Sequence, residues 1–332
     1  VTSYEYDGYG KMVRQRAFTR QVDLALTGAA LGNAVADVCQ DEAAIAAARS
    51  TVMSYRADGQ VEASVSTLGF VTKYEYDDFG AVVRTINYDT PVTPGLDQAA
   101  LAEALSGLYL DDTARANARV SAAVYDANGR VTFTVDPLGH IARIDYNGYG
   151  EAERTWNYSE PLPAWSADSS FNGVLPASVV PANARVATAT YNANGQVAAS
   201  VDPLGYVTRF AYDASGHAVR TYAYEARIAP GLEGATLARA VSDLFGNPLL
   251  TAQARTSATV YNANGQAEYS VDPLGYVTRV AYDAFGQAVR VETYAEPIAN
   301  WSASSSFTGE LPANVASRIA SVTRSTYDAK GQ

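Results

Sequence analysis

The chain has 332 residues, of which 48% are hydrophobic, so it can bury a sizeable core and by length alone corresponds to about two domains. Its formal net charge of -11 argues against nucleic acid and anionic membranes as partners, because both attract basic surfaces. Cys39 is the only cysteine, which excludes an internal disulfide and a cysteine-based zinc site.

One motif recurs along the chain, with the pattern Tyr-(Asp/Asn/Arg)-Ala-(Asp/Asn/Lys)-Gly. It begins at Tyr55, Tyr125, Tyr191, Tyr261 and Tyr327, in steps that alternate between 70 and 66 residues, so two neighbouring units form a super-repeat of 136 residues. Self-similarity at this scale predicts one continuous array over residues 1–332, in which each unit buries its apolar face against its neighbours. The predicted repeat units are approximately 1–50, 51–120, 121–186, 187–256 and 257–322, with a partial unit at 323–332.

Within a unit, a second tyrosine follows the first by 21 residues, at Tyr76, Tyr146, Tyr212 and Tyr282. Alternating runs of about seven residues lie between turn sequences, which predicts short antiparallel strands joined by tight hairpins. Glycine at the end of a motif, as in Asn262-Ala263-Asn264-Gly265, closes a four-residue loop by taking a left-handed conformation. Asp, Pro and Gly stand where a type I turn prefers them in three further turns, Asp136-Pro137-Leu138-Gly139, Asp202-Pro203-Leu204-Gly205 and Asp272-Pro273-Leu274-Gly275.

Each pair of hairpins is followed by an insertion of one of two types. Type A occupies roughly 15–50, 85–120 and 221–256, and Leu101, Leu105 and Leu108 show the i, i+4, i+7 spacing of a short amphipathic helix. Matching apolar positions in the other two are Leu31, Val35 and Val38, and Leu237, Val241 and Leu244. Type B occupies roughly 155–186 and 291–322, and its Pro, Ser and Gly content predicts an ordered loop anchored by Trp165 and Trp301.

The number of strands constrains the architecture. The hairpins supply about 18 strands, which at about 4.8 Å per strand would make a sheet on the order of 85 Å across. Because open twisted sheets seldom exceed about ten strands without curling or splitting, we expect a wound sheet with the insertions on one face. The chain starts and stops inside repeat units, so we expect it to be part of a longer array, and neither a signal peptide nor a membrane span is predicted within it.

The doubled motif resembles a known family. Residues 125–150 and 261–286 are similar to the RHS or YD repeat, which is found in bacterial toxin-complex components, polymorphic toxins and animal teneurins. The resemblance implies a mainly β fold, a repetitive antiparallel β-hairpin ribbon wound into a hollow shell or tube, here with short α-helices in the insertions. The long insertions depart from the family pattern, and no counterpart of its C-terminal self-cleavage region is present in these residues.

The residues do not form a unique catalytic pattern. His140 takes a position that Phe70, Tyr206 and Tyr276 fill in other units, and His217 takes a variable one, so neither indicates a catalytic or metal site. The repeated turn aspartates are interpreted as turn residues, and calcium or acid–base roles are weaker alternatives. A row of arginines, each eight residues after a second-site tyrosine, predicts ion pairs or stacking on tyrosine rings: Arg14, Arg84, Arg154, Arg220 and Arg290.

The sequence therefore predicts a non-catalytic structural protein without a cofactor or metal, which forms the wall of a hollow shell, tube or filament at the surface of or outside a bacterial cell. Its expected partners are neighbouring repeats of the same longer chain, with self-assembly or an enclosed cargo as possibilities, and no nucleic acid. Two alternatives stay open at this point. One is a toxin-encapsulating shell, and the other is an adhesin that binds glycans through Trp165 and Trp301.

Overall fold

A computed structural model describes residues 1–23 and 25–327. The predicted turn that continues from Tyr327 through Gly331 lies mostly outside the described residues. The chain divides into two compact lobes. The N-terminal lobe contains Val1–Arg143 with Asn157–Ala184, and the C-terminal lobe contains Ile144–Trp156 with the described part of Arg185–Gln332. The division into six repeat units stays a prediction.

The described residues form 19 antiparallel strands, and strands that follow one another in the chain are hydrogen-bonded neighbours. The first ten are β1 Thr2–Tyr6, β2 Met12–Ala17, β3 Arg49–Tyr55, β4 Val61–Val65, β5 Val71–Tyr76, β6 Val82–Asn87, β7 Arg119–Tyr125, β8 Val131–Val135, β9 Ile141–Tyr146 and β10 Ala152–Asn157. The others are β11 Arg185–Tyr191, β12 Val197–Val201, β13 Tyr206–Tyr212, β14 Ala218–Arg227, β15 Arg255–Tyr261, β16 Ala267–Val271, β17 Val277–Tyr282, β18 Ala288–Tyr294 and β19 Ile319–Arg324. The predicted fold class, mainly β with a repetitive antiparallel hairpin ribbon, is confirmed.

Tight turns join the strands where the glycine motifs predict them. In the loop between β15 and β16, the Asn262 and Gln266 backbones pair at 2.9 Å and the Gly265 amide donates to the Asn262 carbonyl at 3.0 Å. Three residues therefore lie between the closing pair, rather than four as predicted. Gly265 has a φ of 76°, which glycine adopts without strain. A register shift precedes the loop, between Val260 and Tyr261, and bends the hairpin end.

The type A insertions are helical, as predicted, and each contains two helices instead of one. The longer helices are α1 Gly28–Gln40, α3 Gln98–Leu110 and α5 Gly234–Gly246, and the shorter ones that follow them are α2 Glu42–Ala47, α4 Asp112–Asn117 and α6 Pro248–Gln253. The shorter helices begin at a carboxylate or amide cap, because the side chains of Asp41, Asp111 and Asn247 accept hydrogen bonds from first-turn amides.

The long helices cover one face of the strands. In the N-terminal lobe, Leu101, Leu105 and Leu108 of α3 are buried in one cluster with Val65 and Ile86 from the strands. In the C-terminal lobe, α5 makes the equivalent cluster with Leu237, Val241 and Leu244 over Ala199, Val201 and Val207. Of the three matching positions in α1, only Val38 is buried. The apolar stripes of α3 and α5 therefore cover alternate strand residues on that face.

The type B insertions cover the sheet with loops. They contain only a 3-10 turn at Pro181–Asn183 and a one-turn helix, α7, at Ala313–Ala316 among the described residues. Val179 and Val315 hold equivalent positions and are both buried. In the second loop, Val315 packs with Val271 and Val277 of the strands, so a loop with few helical residues fills the role that α5 has on the preceding hairpins.

The apolar stripe of α3 gives a stability prediction. Replacing Leu101, which is 2% exposed, by alanine should lower the free energy of unfolding by about 2–5 kcal/mol, because it removes buried contacts and leaves a cavity. Urea unfolding followed by circular dichroism measures the change. Leu110→Ala on the same helix is the matched control, since Leu110 is 75% exposed. Equal midpoints for the two variants would contradict a covering role for α3.

Candidate functional site

The motif tyrosines connect neighbouring hairpins. Four of the described first-site tyrosines end a strand, and the fifth, Tyr327, follows β19. The hydroxyl of each donates to the carbonyl of the first residue of the strand beside it. The acceptors lie 39 or 43 residues earlier, and the pairs are Tyr55 to Met12, Tyr125 to Val82, Tyr191 to Ala152, Tyr261 to Ala218 and Tyr327 to Ala288, at 2.8 to 3.3 Å. The bond therefore joins the turn end of one hairpin to the turn end of the next.

The second-site tyrosines make the same bond within a pair of hairpins. The hydroxyls of Tyr76, Tyr212 and Tyr282 donate at 2.9 Å to the carbonyls of Val61, Val197 and Ala267, which are again first residues of strands. Tyr146 occupies the corresponding end of β9. In each lobe, tyrosine hydroxyls thus join successive turns along one edge of the strands, which we call the tyrosine edge.

Burial changes the acidity of several of these phenols. Burial raises the pKa of Tyr55, and the nearby Asp7 carboxylate adds to the effect. Burial likewise raises the pKa of Tyr191, with a contribution from Glu151. The proton is the donor of the bond, so the phenol form is the one that the fold requires.

The Asp-Pro-Leu-Gly turns lie at the opposite edge of the strands, which we call the proline edge. The side chains of Asp136, Asp202 and Asp272 each accept two backbone hydrogen bonds within their own turn, all at 2.9 Å. The backbone of each turn also bonds to the start of the following insertion: Gly139 accepts from the Leu162 amide and Gly275 from the Ile298 amide, both at 2.8 Å. The Gly205 carbonyl likewise accepts from the Ile228 amide. The residues that follow the three aspartates are Pro137, Pro203 and Pro273.

The arginine row holds the insertions on the strands. Arg84 of β6 ion-pairs with Glu75 at 2.6 Å and donates to the Ala167 carbonyl of the first type B insertion, also at 2.6 Å. Arg220 of β14 donates to the Ser302 carbonyl at 3.1 Å and lies over the Trp301 ring. The same arrangement occurs on type A insertions, where Arg14 donates to the Leu96 carbonyl and Arg154 pairs with the Glu233 carboxylate.

The two faces of the strands differ in chemistry. Charged strand residues such as Glu75 and Arg84 lie on the face that the insertions cover, beside the buried Val65 and Ile86. On the opposite face, residues paired across the middle of the strands are uncharged, whereas arginines stand at strand ends, where Arg49 pairs with Ala17, Arg119 with Asn87 and Arg255 with Ala223. In the N-terminal lobe the uncharged rows are Met53–Ser64–Thr72, Tyr74–Thr85–Ser121 and Ala123–Thr134–Ala142. In the C-terminal lobe they are Ala189–Ser200–Thr208–Ala223, Phe210–Thr221–Ser257, Thr259–Ser270–Thr278–Thr293–Ser321 and Val280–Val291–Thr323. We call these rows the neutral face.

Both predicted contact tryptophans are bound to strand backbones. The indole N–H groups of Trp165 and Trp301 donate to the carbonyls of Val120 and Thr256, each at 2.7 Å. A second ring in each insertion packs edge-on against a strand aromatic, Phe171 on Phe133 at 5.6 Å and Phe307 on Tyr269 at 5.8 Å. These rings anchor the type B loops, and a contact with an external ligand stays a prediction.

The histidines lie in separate places. His140 is partly exposed, with its Nδ1 atom 3.5 Å from an Asp136 carboxylate oxygen. The His217 ring stacks on Tyr261 at 4.6 Å, and its Nδ1 atom lies 3.1 Å from Asp213, contacts that the sequence pattern did not indicate. Among the described residues, no group of three or more His, Cys, Asp and Glu side chains is arranged to hold a metal ion. No helix in the described ranges is long and apolar enough to cross a membrane.

Repeating hairpins with fixed register, tyrosine bonds and turn chemistry define a β-hairpin repeat protein. Residues 191–226 match the RHS Repeat family model, so the predicted resemblance is confirmed. Among solved structures, the chain is similar to part of the Photorhabdus luminescens Tc holotoxin pore carrying a TccC3 mutation, with 13% identity and a TM-score of 0.52.

That likeness covers 99% of this chain and 13% of the other, so this chain spans a small part of its length and shares its fold there. A chain of the TcdB2-TccC3-Cdc42 crystal structure aligns at 14% identity with a TM-score of 0.48, over 100% of this chain and 15% of the other. The search of curated proteins finds no match.

The tyrosine bonds predict a loss of stability at alkaline pH. A raised phenol pKa in the folded protein contributes stability that is fully present below the unfolded value of about 10 and is lost as pH rises through the folded value. Tyr55→Phe should cost about 1 kcal/mol at neutral pH and lessen the alkaline loss. Urea unfolding between neutral and alkaline pH measures both effects. Tyr9→Phe, at a 91% exposed position, is the control, and identical profiles for both variants would refute the role of the bond.

The arginine contacts predict local loosening of an insertion. Arg84→Ala removes a charged donor from the Ala167 carbonyl, and a hydrogen bond to a charged group contributes about 1.5–3 kcal/mol. Amide hydrogen exchange in residues 157–184 should therefore accelerate by about tenfold or more, while exchange in α3 stays unchanged. Arg239→Ala is the control, because the Arg239 side chain is 85% exposed. Unaltered exchange at Ala167 would exclude the holding role.

Proposed function

We propose that this chain is part of a non-catalytic structural wall: a ribbon of RHS hairpins that, within a longer array, encloses a hollow shell or tube outside a bacterial cell. The observation that carries the proposal is the difference between the two faces of the strands. One face is closed by insertions that bury Val65, Ile86 and their equivalents, whereas the other presents central rows of uncharged Ser, Thr, Ala and Tyr side chains, with arginines at the strand ends.

A sheet with this asymmetry is suited to separating two spaces. The insertions lie on the outside of the wall, where their charged and polar groups meet solvent. The neutral face lines the interior, because short uncharged side chains neither attract nor repel an enclosed polypeptide by charge. The partners of this chain are neighbouring repeats of the same longer chain, which continue the pairing of strands and the tyrosine bonds.

The repetition of each structural contact supports a mechanical role. Tyrosine bonds, turn aspartates and arginine contacts recur from unit to unit, as a wall requires, whereas a reaction needs its catalytic group once. The glycan-binding alternative is weaker, because both indole N–H groups already donate to strand carbonyls.

A second candidate is a shell that encloses a toxin. It is favoured by one observation, the shared fold with a chain of a Tc holotoxin pore. On this proposal the neutral face would meet the enclosed protein, and the effector would lie in another part of the same gene product.

Electron microscopy of the natural full-length protein tests the wall. A hollow particle or tube, with the ribbon seen in projection as a rim, is expected, and a closed outline would favour the toxin-enclosing candidate over an open tube. Compact particles without a central space, or a flat sheet, would overturn the proposal. The Leu101→Ala variant serves as the control for unfolding artefacts, because it weakens the cover and not the neutral face.

A further inference from the structure

The turns on the two edges of the strands carry exposed apolar residues that the fold does not use. We call the third residue of each turn its tip. Tyr6 is a fifth second-site tyrosine, at the start of the chain. On the tyrosine edge, four of the five turns that follow a second-site tyrosine have an aromatic tip, and the exposed fractions of these tips are 90% to 97%. The four are Tyr9, Phe79, Tyr149 and Phe285. On the proline edge, the tips are leucines that are 63% to 74% exposed, namely Leu68, Leu138, Leu204 and Leu274.

These tips are held on rigid turns. The backbone amides of Phe79 and Phe285 donate to the side chains of Asp77 and Asp283, at 3.0 and 2.9 Å. The Leu138 amide donates in the same way to Asp136 at 2.9 Å. Because the turn is fixed before any partner arrives, burying a tip costs less conformational entropy than ordering a flexible loop would.

Folding does not require the aromatic rings. The fifth turn of this type, Asp213 to Gly216, has Ser215 at its tip and keeps the same backbone bonds, with the Ser215 amide donating to Asp213 at 2.9 Å. The turns that follow the first-site tyrosines have polar tips, such as Asp58 and Asn128. Aromatic and polar tips therefore alternate along the tyrosine edge of the N-terminal lobe.

The two rows of apolar tips share one period. In the N-terminal lobe, Tyr9 and Phe79 are four strands apart, and so are Leu68 and Leu138. At about 4.8 Å per strand, each row repeats every 19 Å or so. Aromatic tips along one edge can thus meet leucine tips along the other edge of a parallel ribbon, without loss of register as the ribbons lengthen.

From these observations we propose that the tyrosine edge binds the proline edge of a second copy of this chain, each aromatic tip packing on a leucine tip. The contact joins unlike edges, so each copy keeps one edge free and the assembly grows side by side. The proposal rests on the proposed wall and names the residues through which adjacent ribbons in it adhere.

The expected strength follows from the area. An aromatic side chain buries about 150–250 Å², so two tip pairs in one lobe supply a few hundred Å², well below the roughly 1,200–2,000 Å² of a stable interface. Association of this chain is therefore weak, and it strengthens with the number of tips engaged because the contacts act together.

Cross-linking between single-cysteine variants tests the pairing of edges. In a Cys39→Ser background, Phe79→Cys and Leu138→Cys proteins are mixed and treated with a short bis-maleimide. The control mixture is Asp58→Cys with Leu138→Cys, in which the first thiol lies on the same edge as Phe79 but at a polar tip. The cross-linked product of Phe79→Cys with Leu138→Cys should form about tenfold faster than that of the control mixture. Equal rates for the two mixtures, or faster linking of Phe79→Cys to itself, would overturn the proposal.

A second variant separates binding from folding. Changing Phe79, Tyr149 and Phe285 together to serine reproduces the tip that Ser215 already provides, so the urea midpoint should stay unchanged while sedimentation shows weaker concentration-dependent association. Unchanged association would refute the contact. A hollow particle seen by electron microscopy of this variant would leave the proposed wall standing, so the failure of one proposal is distinguishable from failure of the other.

Discussion

The bond from a tyrosine hydroxyl to the first carbonyl of the neighbouring strand fixes which residues of these hairpins face each other. In a sheet, a slip of one residue moves every side chain to the opposite face. Such a slip in the N-terminal lobe would turn Val65 away from α3 and place Ser64 beneath it. It would also turn Arg84 away from the insertion that it holds. The covered face, the neutral face and the positions of the turn tips all depend on this register.

The two insertion types are different solutions to one packing demand. Type A closes the strands with a leucine stripe, and type B does so with Trp165 or Trp301 and a buried valine. The arginine row binds both types, because a guanidinium needs only a hydrogen-bond acceptor. The acceptor is the Leu96 carbonyl for Arg14, the Ala167 carbonyl for Arg84 and the Glu233 carboxylate for Arg154. Any insertion that buries the covered face and offers the arginine an acceptor therefore fits, whatever its own secondary structure. This allows the two types to alternate along the chain.

The sequence predicts what local periodicity determines. Strands, turns and the helix at Leu101 follow from patterns within about ten residues, and the structure contains them. The short helices that begin after Asp41 and Asp111 were missed, because six residues are too few for an apolar stripe and only the capping residue marks them. The contact of Arg84 with Ala167 and the neutral face could not be predicted either. The first spans 83 residues, and the second requires the pairing of strands.

The turn tips recur along the chain although the fold does not require them. A residue that recurs in every unit is normally explained by the fold, as Gly265 and Gly286 are by their positive φ values. The aromatic tips recur in the same turns, yet they lie in solvent, and the Ser215 turn keeps its bonds without one. A single exposed aromatic residue needs no explanation, but its repetition at a fixed period does. Since folding of the hairpin does not require the aromatic tips, their repetition is explained by a contact between the edge of the ribbon and a partner.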